Sequence, residues 1–156
     1  MMKYTFKYKN TPFDIWQLSL YYTYGSIAGV CNTIFTVAMI LLSFRIWDNV
    51  GIFVRILLLL ACCLFPIIQP IGIYIRARKQ AAYSKEIEIG FDDAGIHVKS
   101  GNEYSDLKWK SIKKVSKKPN MIVIFSTTIY GFILTNKILG QQNKEFYNYV
   151  ISKLSK

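Results

Sequence analysis

The residues that could do chemistry are few and lie in the second half of the chain. Asp92 and Asp93 stand side by side, and the single histidine, His97, follows shortly after them. Paired carboxylates can serve as general acid and base, and a histidine beside an acid can activate a nucleophile. However, the run Asp-Asp-Ala-Gly is also a turn sequence, because Asp bonds to nearby backbone and Gly accepts positive φ. We expect a turn here, with His97 facing solvent on the following strand.

Metal chemistry and nucleophilic catalysis find little support in the remaining residue types. The three cysteines, Cys31, Cys62 and Cys63, all lie in apolar runs, far along the chain from His97. With no second histidine and no thiol in the soluble part, neither a Ser-His-Asp arrangement nor a His-rich metal site can be assembled. The glycines are scattered and form no phosphate-binding loop. We therefore expect no enzymatic activity, no cofactor and no metal site.

Two apolar runs predict a transmembrane hairpin. Residues 24–44 are 21 uncharged positions, which span about 31 Å as a helix, close to the thickness of a hydrocarbon core. The second span is predicted at about residues 52–75, of which residues 56–75 carry no charge. The sequence therefore predicts a multi-pass protein of the cell membrane.

Basic residues flank the hairpin on both outer sides. Three lysines precede it within residues 3–9, and an "RARK" run starts at Arg76. Because loops rich in Lys and Arg stay on the cytoplasmic side, this distribution predicts that both termini are cytoplasmic. The segment between the spans is expected outside.

The N-terminal segment predicts a strand followed by a helix. Tyr4, Phe6 and Tyr8 alternate with polar residues, the period of a half-buried strand. Thr11 and Asp14 then have the spacing of a capping box, which predicts a helix start. A lone strand is not stable, so we expect this one to join the C-terminal sheet, since both termini lie on one side.

The chain after residue 84 predicts an antiparallel sheet of about five strands closed by a C-terminal helix. The strands are predicted at "EIEIGF", "GIHVKS", "DLKWKSIKKV", "MIVIFS" and "IYGFILT", and the helix at "QQNKEFYNYVISKL". Within the third strand, Trp109 is expected in the core on the same face as Leu107. The alternative for Trp109 is a ligand-stacking role.

The predicted fold class is an α+β membrane protein divided into three segments. Residues 1–23 hold the N-terminal strand and an interfacial helix rich in aromatic side chains, and residues 24–80 hold the hairpin. Residues 84–156 form the cytoplasmic domain. The strand of the first segment is expected to join the sheet of the third.

These residues resemble the YcxB-like family of small bacterial membrane proteins. The resemblance rests on "YTFKY" before a helix containing Asp14, the paired spans, "IEIGFDDAGIHVKS", "LKWKSIKKV" around Trp109, and the ending "GFILTNKILGQQNKEFYNYV". The sequence departs from the family at "LTNK", where the family tends towards a proline-lysine ending. The resemblance implies a PH-like C-terminal domain in a bacterial inner membrane protein, and it brings no catalytic residues.

A lysine-rich segment, which we call the lysine tract, is the strongest candidate for an interaction surface. It contains six lysines within eleven residues and no acid: Lys108, Lys110, Lys113, Lys114, Lys117 and Lys118. The tract could be a solvated face, or it could dock on anionic headgroups at about 1 kcal/mol per basic residue. Nucleic acid is disfavoured, because aromatic residues for base stacking are missing apart from Trp109 and the membrane hairpin holds the domain near lipid.

A stripe of small and polar residues in the first span predicts a helix-packing face. Its members are Gly25, Gly29, Asn32, Thr33 and Thr36. Small residues allow two helices to approach closely in lipid. The partner is either the second span of the same chain or a second copy in a homodimer. Pro66 and Pro70 predict a kink in the second span.

The sequence predicts a membrane-anchored PH-like interaction or regulatory module. Its partners would be anionic lipid, another membrane protein, or a peptide at a sheet edge. One alternative is a small accessory or immunity-type membrane protein whose transmembrane helices self-assemble or bind a membrane partner. The other alternative, a lipid-directed enzyme, demands a convergent polar pocket that the sequence does not offer.

Overall fold

The computed structural model describes residues 2–127 and 131–154. The chain forms two compact units. One comprises residues 11–83 and is entirely helical among its regular elements, and we call it the helical unit. The other combines the chain up to Asn10 with the chain from Ser84 onward, and we call it the α+β unit. The protein is therefore an α+β chain with two apolar helices and antiparallel sheets.

The helical unit contains four α-helices. They are α1 (Pro12–Tyr24), α2 (Ile27–Ile46), α3 (Ile52–Cys63) and α4 (Gln69–Ala82). The capping box predicted at the start of α1 is confirmed: the Asp14 backbone N–H donates to Thr11 Oγ1 over 3.2 Å, and the Thr11 N–H donates to the Asp14 carboxylate over 3.0 Å. These two bonds satisfy backbone donors that the first helical turn otherwise leaves unpaired.

The first apolar helix begins later than the predicted residue 24. Ser26 caps α2, because its Oγ accepts the backbone N–H of Gly29 over 3.3 Å. The side chain of Ser26 also donates to the carbonyl of Thr23, which ties the cap to the end of α1. A Cβ on Gly29 would lie 2.5 Å from that same carbonyl oxygen, so only glycine fits this close approach. The predicted span therefore starts at Ile27 rather than at Tyr24, and Gly25 and Ser26 separate it from α1.

The second apolar helix contains a π-helical turn at Leu64–Ile68, between α3 and α4. The Gln69 N–H donates to the carbonyl five residues back, as a π-helix requires. In the same π-helical pattern, residue 70 would donate its backbone N–H to the carbonyl of Phe65, but Pro70 has no N–H to donate. The Phe65 carbonyl instead accepts the hydroxyl of Tyr24. The prolines thus produce a local change of helical register, stabilised by a neighbouring helix.

The α+β unit contains a first sheet of four antiparallel strands in the order β1-β2-β3-β4. They are β1 (Tyr4–Tyr8), β2 (Ile87–Phe91), β3 (Gly95–Ser100) and β4 (Glu103–Lys108). The pairing of β1 with β2 confirms that the N-terminal strand joins the C-terminal sheet. The helical unit is therefore an insertion, in sequence, between two adjacent strands.

A second sheet holds three antiparallel strands in the order β5-β6-β7. They are β5 (Lys114–Lys118), β6 (Met121–Phe125) and β7 (Gly131–Thr135), and the helices α5 (Asn136–Leu139) and α6 (Asn143–Leu154) follow. The prediction of one sheet of about five strands is wrong, since the described residues form seven strands in two sheets. The predicted closing helix is confirmed as α6, whereas Ile129 and Tyr130 of the last predicted strand lie outside the described residues.

The predicted third strand, "DLKWKSIKKV", is also wrong as a single strand. It is divided into β4 and β5 by a 3-10 turn at Trp109–Ser111, and its two halves pair in different sheets. The physical reason is the burial of Trp109. The turn buries the indole and leaves Lys108 and Lys110, on either side of Trp109, exposed. The alternating pattern continues on either side of the turn, so the sequence period alone does not reveal it.

The core of the α+β unit is rich in aromatic rings. Phe146 of α6 makes edge-to-face contacts with Phe6 and Phe91, with ring centroids 5.3 and 4.8 Å apart. Aliphatic side chains of both sheets, including Ile89 and Ile122, complete the same buried cluster. Burial of this apolar surface is the main stabilising term of the unit.

Candidate functional site

The acidic turn and His97 form one connected cluster at the end of the first sheet. Asp92 Oδ1 accepts the backbone N–H groups of Ala94 and Gly95 over 2.8 and 2.9 Å, which builds the predicted turn. The other oxygen of Asp92 bonds His97 Nε2 over 3.0 Å, and Asp106 bonds His97 Nδ1 over 2.6 Å. His97 is thus held between two carboxylates, an arrangement that the alternation pattern did not predict because Asp106 lies on the next strand.

Asp93 connects the same turn to the C-terminal helix. Its Oδ1 lies 2.7 Å from Lys153 Nζ and accepts the hydroxyl of Tyr149 over 3.3 Å. The hydrogen bond and charge of Lys153 lower the pKa of Asp93. Burial, together with the nearby Asp93, raises the pKa of Tyr149 to about 12. The two adjacent acids therefore bind different elements: Asp92 contacts β3 through His97, and Asp93 contacts α6.

The charge state of His97 is set by its two carboxylates. The hydrogen bond to Asp106, followed by that to Asp92, raises the pKa of His97. The backbone N–H of Gly95, more than His97, lowers the pKa of Asp92. Both ring nitrogens of His97 are engaged, which leaves neither to take a proton from a nucleophile. Among the described residues no group of three or more His, Cys, Asp or Glu side chains could hold a metal ion.

We expect the thermal unfolding midpoint to depend on pH through this cluster. A raised histidine pKa stabilises the fold at low pH, and that contribution is lost as the pH rises through the pKa of His97 in the folded protein. A lowered Asp92 pKa stabilises the folded protein at pH values above the pKa that Asp92 has in the unfolded chain. This stabilisation is lost as the pH falls through the pKa of Asp92 in the folded protein. The thermal unfolding midpoint of the full-length protein in detergent, measured from about pH 5 to 9, should fall towards the alkaline end of this range.

The His97→Gln variant isolates the histidine contribution. Its midpoint should be lower than that of wild type at acidic pH and should converge with wild type at alkaline pH. A difference between the two midpoints that stays constant across the whole pH range would show that the charge of His97 does not contribute to stability.

Trp109 lies in the core, as predicted. Its side chain is buried, and its Nε1–H donates to the carbonyl of Asp92 over 3.0 Å. The indole stacks on Phe91 at 6.3 Å and contacts the ring of Tyr149 edge-on at 6.0 Å. Leu107, predicted on the same face, is half-buried against the same cluster. Trp109 thus joins the acidic turn to the aromatic core.

The lysine tract is distributed over two strands and the turn between them. Lys108 ends β4 and Lys110 lies in the 3-10 turn, and both are exposed. Lys113 is exposed just before β5, and its backbone N–H donates to the carbonyl of Phe125 over 2.9 Å. These three lysines surround Trp109 in the sequence without sharing a single strand face.

The remaining lysines of the tract lie on β5, which alternates its side chains between two faces. Lys114 and Lys118 share one face, and Lys117 lies on the other together with Val115, which packs on the core. The ammonium of Lys117 lies 4.7 Å from the ring centroid of Tyr147, a cation–π contact with α6. Because β5 is an edge strand, its lysines also discourage pairing with another strand.

The small-residue stripe makes contacts within the helical unit. Gly29 is buried at the α1–α2 junction, and Asn32 Nδ2 donates to Gln69 Oε1 over 3.2 Å. Thr33 and Thr36 donate to carbonyls one turn back in their own helix. Gly25 ends α1, and a Cβ there would lie 2.5 Å from the carbonyl oxygen of Tyr21. The stripe thus contributes Asn32 to the pairing of the two apolar helices.

One of the comparisons with known proteins finds a family. The family model described as YcxB-like protein matches residues 91–151. This match confirms the resemblance and covers the acidic turn, Trp109, the lysine tract and most of α6. No curated protein and no solved structure matches the chain.

Proposed function

We propose that this protein is a two-span membrane protein whose α+β unit is a non-enzymatic, PH-like module that docks on anionic lipid at the cytoplasmic leaflet. The observation that carries the proposal is the exposure of the two apolar helices. In the most apolar stretch of each helix, only 6% of the residues are buried. Core helices of water-soluble proteins bury such residues, because exposed apolar area costs about 25 cal/mol per Å² in water. A bilayer would cover this surface.

Three observations support the PH-like and cytoplasmic parts of the proposal. The α+β unit has two antiparallel sheets around one core, with α6 contributing Phe146 to that core. The YcxB-like family match covers most of this unit. The lysines before α1 and the basic run from Arg76 put positive charge on both outer flanks of the apolar helices.

The exposed lysines of the tract support docking on anionic lipid. They lie at the end of β4, in the turn that follows it, and on or just before the edge strand β5, and these residues are exposed. In such docking the module would be held at the leaflet by electrostatics and would present its other surfaces to a protein partner. The saturated hydrogen bonding of His97 favours this binding role over catalysis.

Docking is tested with the full-length protein in nanodiscs of neutral or anionic phospholipid. The measurement is NMR line broadening of tract amides by lipids that carry a paramagnetic headgroup, over a salt series. Wild type should show broadening in anionic discs only, weakening with salt. Lys113→Gln with Lys114→Gln removes two charges and should lower the docking equilibrium about 30-fold, at about 1 kcal/mol per lysine.

The matched control is Lys137→Gln with Lys144→Gln, which removes the same charge from exposed positions of α5 and α6. The control should dock like wild type. Equal broadening in neutral and anionic discs, or equal loss in both variants, would contradict docking through the tract.

A further inference from the structure

A second basic feature lies at the end of the first sheet opposite the acidic turn. It is an open groove of about 200 Å³ on the α+β unit, which we call the lysine groove. The strand register places Tyr8, Ile87 and Ser100 side by side at this end of the sheet. The groove is lined by Lys7, Lys85, Glu86, Glu88, Lys99 and Gly101.

The charges in the lysine groove leave one ammonium in excess. Lys7 pairs with Glu86 at 3.3 Å. Glu88 and Lys99 are opposite each other in the β2–β3 register, so they share one face of the sheet. Lys85 has no ion-pair partner among the residues that the structure describes. The groove therefore has a net positive charge, with an unpaired ammonium at Lys85.

Neighbouring groups orient two of the lysines. Lys99 Nζ lies 5.2 Å from the ring centroid of Tyr104, and the Tyr104 hydroxyl raises the pKa of Lys99. The stem of Lys85 runs beside Gly101, whose Cβ, if present, would lie 3.7 Å from Lys85 Cδ. Gly101 has a φ of +61°, which keeps the β3–β4 turn tight at the rim of the groove.

Exposed aromatic and basic residues precede the lysine groove in the sequence, in and just after α4. Tyr83, next to the groove in sequence, is 88% exposed, and Arg76 and Lys79 of α4 are exposed as well. Exposed aromatic and basic residues beside an apolar helix are typical of the headgroup layer.

We propose that the lysine groove binds the phosphate of an anionic phospholipid headgroup, with Lys85 as its main contact and Lys99 beside it. This inference rests on the proposed membrane insertion and adds a defined headgroup site to it. The lysine tract is a separate feature, because Lys108 pairs with Gly95 at the other end of the sheet. Strands of five to six residues place the two ends about 17–20 Å apart.

The test is lipid retention by the full-length protein, measured by native mass spectrometry in detergent. Delipidated protein is titrated with phosphatidylglycerol or with phosphatidylcholine as the neutral lipid. Lys85→Gln with Lys99→Gln should lower phosphatidylglycerol binding about 30-fold. The Lys137→Gln, Lys144→Gln variant has the same charge change at exposed positions of α5 and α6 and should bind like wild type. Inorganic phosphate and glycerol phosphate are added in separate arms as soluble competitors.

Each outcome decides the assignment. Wild-type affinity in the Lys85, Lys99 variant overturns it, as does an equal loss of binding in the Lys137, Lys144 variant, which would make the effect one of overall charge. Equal retention of phosphatidylcholine overturns the requirement for anionic lipid. Displacement by inorganic phosphate at micromolar concentration would instead make the groove a site for free phosphate. Because retention is measured in detergent, a failure of docking in nanodiscs does not affect this result.

Discussion

Replacing Phe6 with aspartate is expected to unfold the α+β unit. Phe6 is 8% exposed, and its ring contacts Phe91 and Phe146 edge-on. The substitution removes this packing and places a carboxylate in an apolar cluster, where an unpaired charge costs several kcal/mol. That cost is comparable to the whole stability of a small domain, about 5–15 kcal/mol. The expected result is loss of the folded unit even though the change lies in a short N-terminal strand.

Thr5→Asp is the matched control, because Thr5 lies on the exposed face of the same strand. The measurement is limited trypsin digestion of the full-length protein in detergent, followed by mass spectrometry of fragments from residues 84–154. The Phe6 variant should be cut rapidly there, and the Thr5 variant should resist like wild type. If both variants resist equally, β1 does not contribute to the core.

Replacing Trp109 with alanine is expected to cost about 3–5 kcal/mol, as large-to-small changes of buried aromatics do. The variant loses ring contacts with Phe91 and Tyr149 and leaves the Asp92 carbonyl without its indole donor. The loss should appear as a large drop in the thermal unfolding midpoint of the full-length protein. The acidic turn should also become mobile in amide hydrogen exchange.

Tyr104→Ala is the control for loss of an aromatic ring, since Tyr104 is 74% exposed. Its midpoint should stay close to that of wild type. A Trp109→Ala protein with an unchanged midpoint would contradict the core assignment and would favour the alternative, a tryptophan that stacks on a ligand.

Local signals in the sequence predicted the local structure well. The capping box at Thr11 needs only residues three apart, and the turn at Asp92 needs only its own carboxylate and the next backbone N–H groups. The alternation of Phe6 and Tyr8 fixed which face of β1 is buried. The capping box and the turn depend on contacts between near neighbours in the chain, and the buried face of a strand follows from its period of two residues, so the sequence pattern contains all three.

Apart from the joining of β1 to the C-terminal sheet, features that depend on distant residues were not predicted. The division of the lysine tract follows from the burial of Trp109 between Phe91 and Tyr149, which come from other elements. The position of His97 between two carboxylates needs Asp106 of the adjacent strand, and the strand register determines that contact. The lysine groove joins β1, β2 and β3, whose shared end becomes visible only once the sheet order is known.

The candidate site illustrates the same limit. The sequence identified the lysines of the tract, because charge density is a local property. It did not identify which of them share a face, since Lys117 turns towards Tyr147 while Lys114 points the other way. Nor did it predict the π-helical turn near Pro70, where the freed carbonyl needs Tyr24 from another helix.

The reactivity of Cys31 tests membrane insertion most directly. Cys31 is exposed on the surface of α2, so in water its thiol would react readily with a maleimide. In intact membranes, treated with a membrane-impermeant maleimide from both sides, the account predicts that Cys31 stays unlabelled and is labelled only after denaturation in detergent. A Ser111→Cys variant, exposed in the turn beside β5, should be labelled from the cytoplasmic side. Labelling of Cys31 as fast as that cysteine in intact membranes would contradict the account.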